Sequence, residues 1–245
     1  ETWSFMAMTA KLGGETWFNL GDRDLATHIA RTRRLRAGES LSAITTSLCE
    51  RLGIAACIVP MSDDPVRTIV VTDAGDLSFQ HYFVRLKCEP VLKALRFEGA
   101  ATARPAAGLL AALDDAALGG IVICPSNPYL SVQPILEVPG IRERLAARRV
   151  PLVAVSPIVG GRAIKGPAAK ILRELGHEPS ALAVARHYAG LIDSLVLDEA
   201  DAALAPAVEA LGMRAVVTDT IMRDAPSARA LAEATLDAVA RLRAR

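Results

Sequence analysis

Residues 119–131 read GGIVICPSNPYLS: two glycines, four consecutive apolar residues, then a polar loop braced by Pro125 and Pro128. A short run rich in Val and Ile, closed at both ends by turn residues, predicts a strand buried on both faces. The same grammar recurs at Ala55–Pro60 before MSDDPVRT, at Val150–Val155 before SPIVGGRAIKGP and at Leu195–Leu197 before DEAD. Helical patterns between the runs favour parallel pairing, and an open parallel sheet binds ligands beyond the carboxyl ends of its strands. The loops after these runs mark one crevice, and function is to be sought there.

From Pro105 onward the alternation is regular: helix 105–117, strand 119–124, helix 131–147, strand 150–155, helices 167–176 and 180–190, strand 194–197, helix 199–211, strand 214–218 and helix 226–243. Strand–helix alternation with short connections predicts an α/β fold, a Rossmann-like three-layer sandwich on a mostly parallel sheet. Upstream the pattern is mixed. A helix tail closes on Gly13-Gly14, a helix spans about 22–36, and another follows Ser40 as its cap. Strands are expected at 55–60 and 67–72, with a turn at Asp73–Asp76. This mixture predicts a smaller inserted α+β segment over 40–98, with 1–39 and 99–245 forming the core.

With 245 residues, 51% of them hydrophobic, the chain can bury a sizeable core. No apolar stretch approaches the roughly 20 residues needed to cross a bilayer. Lys and Arg total 28 against 27 acids, so no global field favours nucleic acid or a membrane surface, and Arg31–Arg36 reads as a solvated helix face. Four cysteines without C-x-x-C spacing fit a reducing cytoplasm. Cys57 and Cys124, inside apolar runs, are expected to be small buried hydrophobes.

Several loops carry chemistry, each with a plain structural alternative. GDRDLATH (21–28) sets Asp22 and Asp24 at a helix entrance with His28 one turn beyond. The acids can hold a metal or orient a hydroxyl; equally, Asp22 can cap its helix and His28 pair with Asp24. MSDDPVRT (61–68) packs Ser62, Asp63 and Asp64 between two strands with Arg67 returning toward the loop, where it can hold a substrate phosphate or merely neutralise the acids. In the Pro-braced loop after residue 124, Ser126 and Asn127 can donate to a phosphate, with Ser131 capping the next helix. Gly160, Gly161, Lys165 and Gly166 form the strongest local signal: close backbone approach, a point charge, and a helix starting at Pro167. The spacing is neither G-x-x-x-x-G-K-[ST] nor G-x-G-x-x-G, so any phosphate cradle here is of another kind. Asp198 and Asp219 close later strands as caps or ligand contacts, and Trp17 and Phe18 are core or a stacking surface.

Taken together, WFNLGDRDLATH, MSDDPVRT, FVRL, RFEG, CPSNPYLSVQPIL and SPIVGGRAIKGPA resemble the 2-phospho-L-lactate transferase family of coenzyme F-420 biosynthesis. The resemblance runs in one order from Glu1 to the C-terminal helix. It implies a Rossmann-like core with an insertion, usually a homodimer, and magnesium assistance. It also implies a reaction: the ribityl hydroxyl of the deazaflavin Fo attacks the acid-bearing phosphorus of a guanylyl-activated phospho-acid, and GMP leaves. By position, Asp22, Asp24 and Arg67 become the catalytic candidates. Trp17, Thr27, His28, Met61, Ser62 and Asp63 become the deazaflavin side, and Ser126, Asn127, Gly160, Gly161, Lys165 and Gly166 the guanine-nucleotide side. The metal ligands stay unassigned. Family members open with a strand and a GG-x-GG loop followed by metal-binding aspartates; this sequence starts at Glu1 beyond both, which implies little or no turnover if that segment is absent from the protein and unaffected activity if it is only omitted from this sequence.

Two other readings stand beside it: a non-catalytic regulator of the same superfamily that binds a nucleotide-sugar, and a generic nucleotide-binding enzyme. The acid-rich GDRDLATH entrance favours metal-assisted transfer over passive anion retention. Phospholactate, phosphoenolpyruvate and 3-phosphoglycerate donors differ by a few atoms, and the choice among them stays open, with His81 and Cys88 flanking FVRL as neighbours of interest.

Overall fold

The structure, a computed structural model, describes residues 2–164 and 166–244, so Lys165 lies outside the described residues. The chain starts with three helices, α1 (Ser4–Lys11), α2 (Asp22–Arg36) and α3 (Leu41–Arg51). α1 ends as the glycine pair requires. Gly13 adopts φ +76°, its N–H bonds Ala10 O at 3.1 Å, and Gly14 N–H bonds Thr9 O at 2.9 Å, a Schellman closure. α2 buries none of its residues, as expected of a solvated basic face. Ser40 caps α3 by accepting from Ala43 N.

A three-stranded antiparallel sheet follows, β1 (Arg67–Thr72), β2 (Gly75–Ser78) and β3 (Leu92–Glu98), in the order β2-β1-β3. A single π-turn at His81–Arg85 and a tight bend at Lys87 and Cys88, both at positive φ, connect β2 to β3. Then come α4 (Ala107–Leu113), β4 (Ile121–Ile123), α5 (Gln133–Leu136), α6 (Ile141–Ala146), β5 (Leu152–Val155) and the small hairpin β6 (Ile158–Val159) and β7 (Arg162–Ala163). The chain ends with α7 (Ala168–Glu174), α8 (Ala181–His187), β8 (Ser194–Asp198), α9 (Ala205–Glu209), β9 (Arg214–Thr218) and α10 (Ala225–Arg243).

The core sheet has the order β4-β5-β8-β9 with every pair parallel. The side chains of its two central strands, β5 and β8, alternate between two buried layers, which is why those runs read as continuously apolar. Val153, Val155 and Val196 face Leu231, Ala238 and Val239 of α10. Leu152, Ala154 and Leu195 face the opposite layer of Ile141, Leu172, Val184 and Tyr188. A side chain such as Leu195, fully buried, contributes about 1.5–3 kcal/mol over leaving it exposed. The antiparallel sheet docks on this core through Val70, Tyr82, Cys88 and Leu92, which cluster with Ile171 of α7. No described helix is long and apolar enough to cross a membrane.

Four expectations are corrected. Residues 55–60 form no strand: β1 pairs with β2 and β3 instead, and the segment is laced to 104–108, with Ala106 N–H on Met61 O at 3.0 Å and Val59 packed at Gly108. Cys57 and Cys124 are exposed, and it is Cys88 that is buried. The expected helix 131–147 breaks into a π-turn at Pro128–Val132, α5 and α6, because Gly140, after Pro139, turns to φ +86°. The expected helix 199–211 begins as a 3-10 turn, Glu199–Leu204, before α9.

Candidate functional site

Four parallel strands deliver four loops to one end of the core sheet, after Ile123, Val155, Asp198 and Thr218. In the first, Asn127 and not Ser131 is the cap: its Oδ1 accepts from Tyr129 N at 3.0 Å and Leu130 N at 3.1 Å, with Pro128 at the first turn position. Ser131 sits inside the turn, donating its N–H to Asn127 O. The Asn127 amide nitrogen is buried and has no partner among the described residues, so the loop holds a spare NH2 group with two N–H donors. Ser126 is half-buried beside it.

The second loop folds back as the β6–β7 hairpin. Ser156 pins its start, with N–H on Val196 O at 2.9 Å and Oγ accepting from Ile158 N at 3.1 Å. Gly160 (φ +54°) and Gly161 (φ +74°) are the two central residues of the turn between paired Val159 and Arg162, the positive-φ turn that suits a twisted ribbon. The Gly160 N–H is committed to Asp201 Oδ2 at 3.0 Å, so it serves the hairpin before any phosphate. Gly166, φ +72°, precedes Pro167, which is the N-cap of α7 and not its first helical residue.

The third and fourth loops are joined by Asp198. Its Oδ2 accepts from Thr220 N at 2.8 Å and Thr220 Oγ1 at 2.9 Å, and its Oδ1 from Ala200 N at 3.0 Å. Burial opposes the charge, but these donors outweigh it and hold the pKa below the usual carboxylate value. Asp219 pairs with Arg223 at 2.6 Å, and that hydrogen bond, followed by one from Ile221 N–H, lowers its pKa as well.

The residues nominated for the deazaflavin side belong to other segments. Asp22 does cap a helix, but α1 and not its own: its carboxylate accepts from Thr2 Oγ1 at 2.6 Å, Phe5 N at 3.0 Å and Ser4 N at 3.1 Å. The Thr2 hydroxyl, then the Phe5 amide, lower its pKa. Asp24 is exposed, Thr27 Oγ1 donates back to Arg23 O at 3.1 Å, and His28 Nδ1 lies 2.7 Å from Arg31 Nη2 and not against Asp24. Met61 packs on the main core; Ser62, 3% exposed, donates to Arg104 O at 2.7 Å; Asp63 accepts from Ser42 N at 2.6 Å in the first turn of α3. Arg67 is exposed at the start of β1. Trp17 stacks on His81 at 4.9 Å between ring centroids with Arg85 5.6 Å from its ring, tying the segment after α1 to the π-turn; Phe18 meets it edge-on.

Magnesium, which the resemblance implies, finds no ready cage in these side chains. Among the described residues no group of three or more His, Cys, Asp or Glu is placed to hold a metal, and both Asp22 oxygens are engaged.

An open parallel sheet covered on both faces, with glycine, serine and asparagine loops at its carboxyl edge, defines an α/β protein of the Rossmann-like kind. The chain belongs to the 2-phospho-L-lactate transferase CofD family, whose model matches residues 6–236, and it is a transferase of that family. It is 43% identical to the phosphoenolpyruvate transferase of Streptomyces griseus, over 100% of this chain and 78% of the relative. It is 42% identical to the 2-phospho-L-lactate transferase of Methanosarcina acetivorans, over 91% of this chain and 71% of the relative. Among solved structures, a UPF0052 family member from Bacillus halodurans superposes with a TM-score of 0.58 at 15% identity, covering 88% of this chain and 72% of the other, a likeness of fold alone.

Proposed function

We propose that this chain acts in coenzyme F-420 biosynthesis, moving a phospho-acid group from its guanylyl-activated form to the ribityl hydroxyl of Fo with release of GMP. The observation that carries this reading is the continuous family match over residues 6–236, supported by relatives named for two such transfers. Identities of 43% and 42% do not separate enolpyruvyl phosphate from 2-phospholactyl as the group moved. In-line transfer to phosphorus asks the protein chiefly for positioning and charge neutralisation. What supports this is the chemistry of the strand-end loops: the Asn127 amide is a spare buried donor, and Asp201 ties down the turn of the β6–β7 hairpin. Magnesium, a homodimer and a cytoplasmic location complete the proposal, with the ion's oxygens coming largely from donor phosphates and water.

The test is a mass-spectrometric product assay with Fo and the three activated acids, phosphoenolpyruvyl, phospholactyl and phosphoglyceryl, in competition. A phosphodiester of Fo is the expected product, accompanied by GMP. Absence of any Fo product, together with binding of a nucleotide-sugar, would replace the reading by the non-catalytic regulator. Lys165→Ala is expected to weaken GDP binding about tenfold, the loss of one charged phosphate contact. Calorimetry showing unchanged affinity removes Lys165 from the cradle.

A further inference from the structure

A cavity of ≈ 360 Å³ runs along α8, lined by Tyr129, His177, Glu178, Arg186 and His187 among others. None of the residues assigned above to either substrate lines it. His187, the last residue of α8, stands between two rings, with centroids 4.6 Å from Tyr129 and 5.0 Å from Tyr188. Its Nε2 is buried without a hydrogen-bond partner among the described residues, and so is the hydroxyl of Tyr188, which is 1% exposed. Buried polar atoms in native proteins find partners, and this space is many times the roughly 30 Å³ that one water occupies in the liquid.

The charges around the ring say what partner fits. Arg186 comes from α8, Arg142 from α6 and His177 from the turn before α8, against the single carboxylate of Glu178; Tyr129 and Tyr188 add only rings and hydroxyls. Burial first, then the charges of Arg142 and His177, hold the His187 pKa down at about 4, so the imidazole is neutral at neutral pH. Arg186 and His187 both line the cavity, so a guanidinium and a neutral imidazole are the groups there that can donate to an oxyanion.

We propose that this cavity is a binding site for a small oxyanion, a phosphate or carboxylate group, held by Arg186 and His187. The site lies apart from the residues assigned to either substrate. It meets the substrate loops at two places: Tyr129, which lines it, gives its N–H to Asn127 Oδ1 at 3.0 Å, and the Pro179 carbonyl, next to Glu178, lies 3.4 Å from where a Cβ on Gly161 would stand. An occupant here presses on the same turn that backs the β6–β7 hairpin. Bound anion favours the imidazolium, and by linkage the anion binds more tightly as pH falls toward the His187 pKa.

The experiment follows the imidazole of His187 by NMR in the full chain, titrated with inorganic phosphate in one arm and acetate in the other. Saturation is expected to raise the His187 pKa by about one unit or more, the usual effect of an opposite charge at contact distance. Arg186→Gln, at an exposed position, leaves the fold intact and weakens the anion about tenfold. A response to phosphate alone identifies a phosphate site, to acetate alone a carboxylate site. If His187 answers neither anion, or Arg186→Gln binds as tightly as the parent, the site does not exist.

Discussion

Gly99→Ala is expected to destabilise the protein by about 3–5 kcal/mol, because it combines a forbidden backbone conformation with a collision that cannot relax cheaply. Gly99 adopts φ +85° directly after β3. A Cβ there would stand 2.3 Å from the Pro65 carbonyl oxygen, which is backbone and cannot rotate aside. Both neighbours are fixed. Gly99 O accepts from Ala103 N at 3.0 Å, and Pro65 follows Asp64, whose carboxylate accepts from Arg104 N at 2.9 Å. The collision therefore separates β1 from β3 at the edge that carries Arg67, paired in register with Glu98. Gly38→Ala is the control: it sits at φ +86° with nothing within 4 Å of its Cβ, so it should lose only the conformational part, about 1–2 kcal/mol. Urea denaturation of both variants decides. Equal losses would show that the approach to Pro65 contributes nothing.

The parts of the fold legible in the sequence were those whose signal is local. The strands ending at Val155 and Asp198 are buried on two faces, those ending at Ile123 and Thr218 are sheet edges with Val122 and Val217 exposed, and all four are bounded by turn residues, so a run of Val, Ile and Leu suffices to find them. Ala55–Pro60 looks the same in one dimension, but a strand is a pair, and composition does not show that β1 takes its partners on both sides. Pro139-Gly140 was the available signal for the break in 131–147, and Asn127 before Pro128 was the better cap signal than Ser131. The glycine pair at 160–161 reads in the sequence as a place of close backbone approach, whereas in the structure its positive φ first serves a hairpin turn. Partners separated along the chain stayed hidden: Asp22 reaches back to Phe5, Asp63 to Ser42, and His187 meets Tyr129, none of which any local spacing encodes.

Asp198→Ala should have the second large effect, about 2–4 kcal/mol, for a reason that also reaches the candidate site. Asp198 is 6% exposed, and its two oxygens accept three hydrogen bonds at the ends of β8 and β9. Truncation leaves the Thr220 N–H and hydroxyl and the Ala200 N–H without an acceptor, and an unpaired buried donor costs more than the net worth of its bond. Asn is no remedy, since its NH2 must face at least one of these donors. Because the folded pKa is lowered, the parent's extra stability is complete above the ordinary carboxylate value and is lost as pH falls through and below it; the variant lacks that acid-dependent loss. The 3-10 turn that Asp198 caps carries Asp201, whose carboxylate holds Gly160 N–H. Loosening the cap loosens the hairpin, so GDP binding should weaken together with stability. Asp201→Ala separates the two: it removes the hairpin tether while Asp198 keeps its donors. If Asp198→Ala lowers stability yet leaves GDP affinity at the parent value while Asp201→Ala also leaves it unchanged, the β6–β7 hairpin is not part of the nucleotide side.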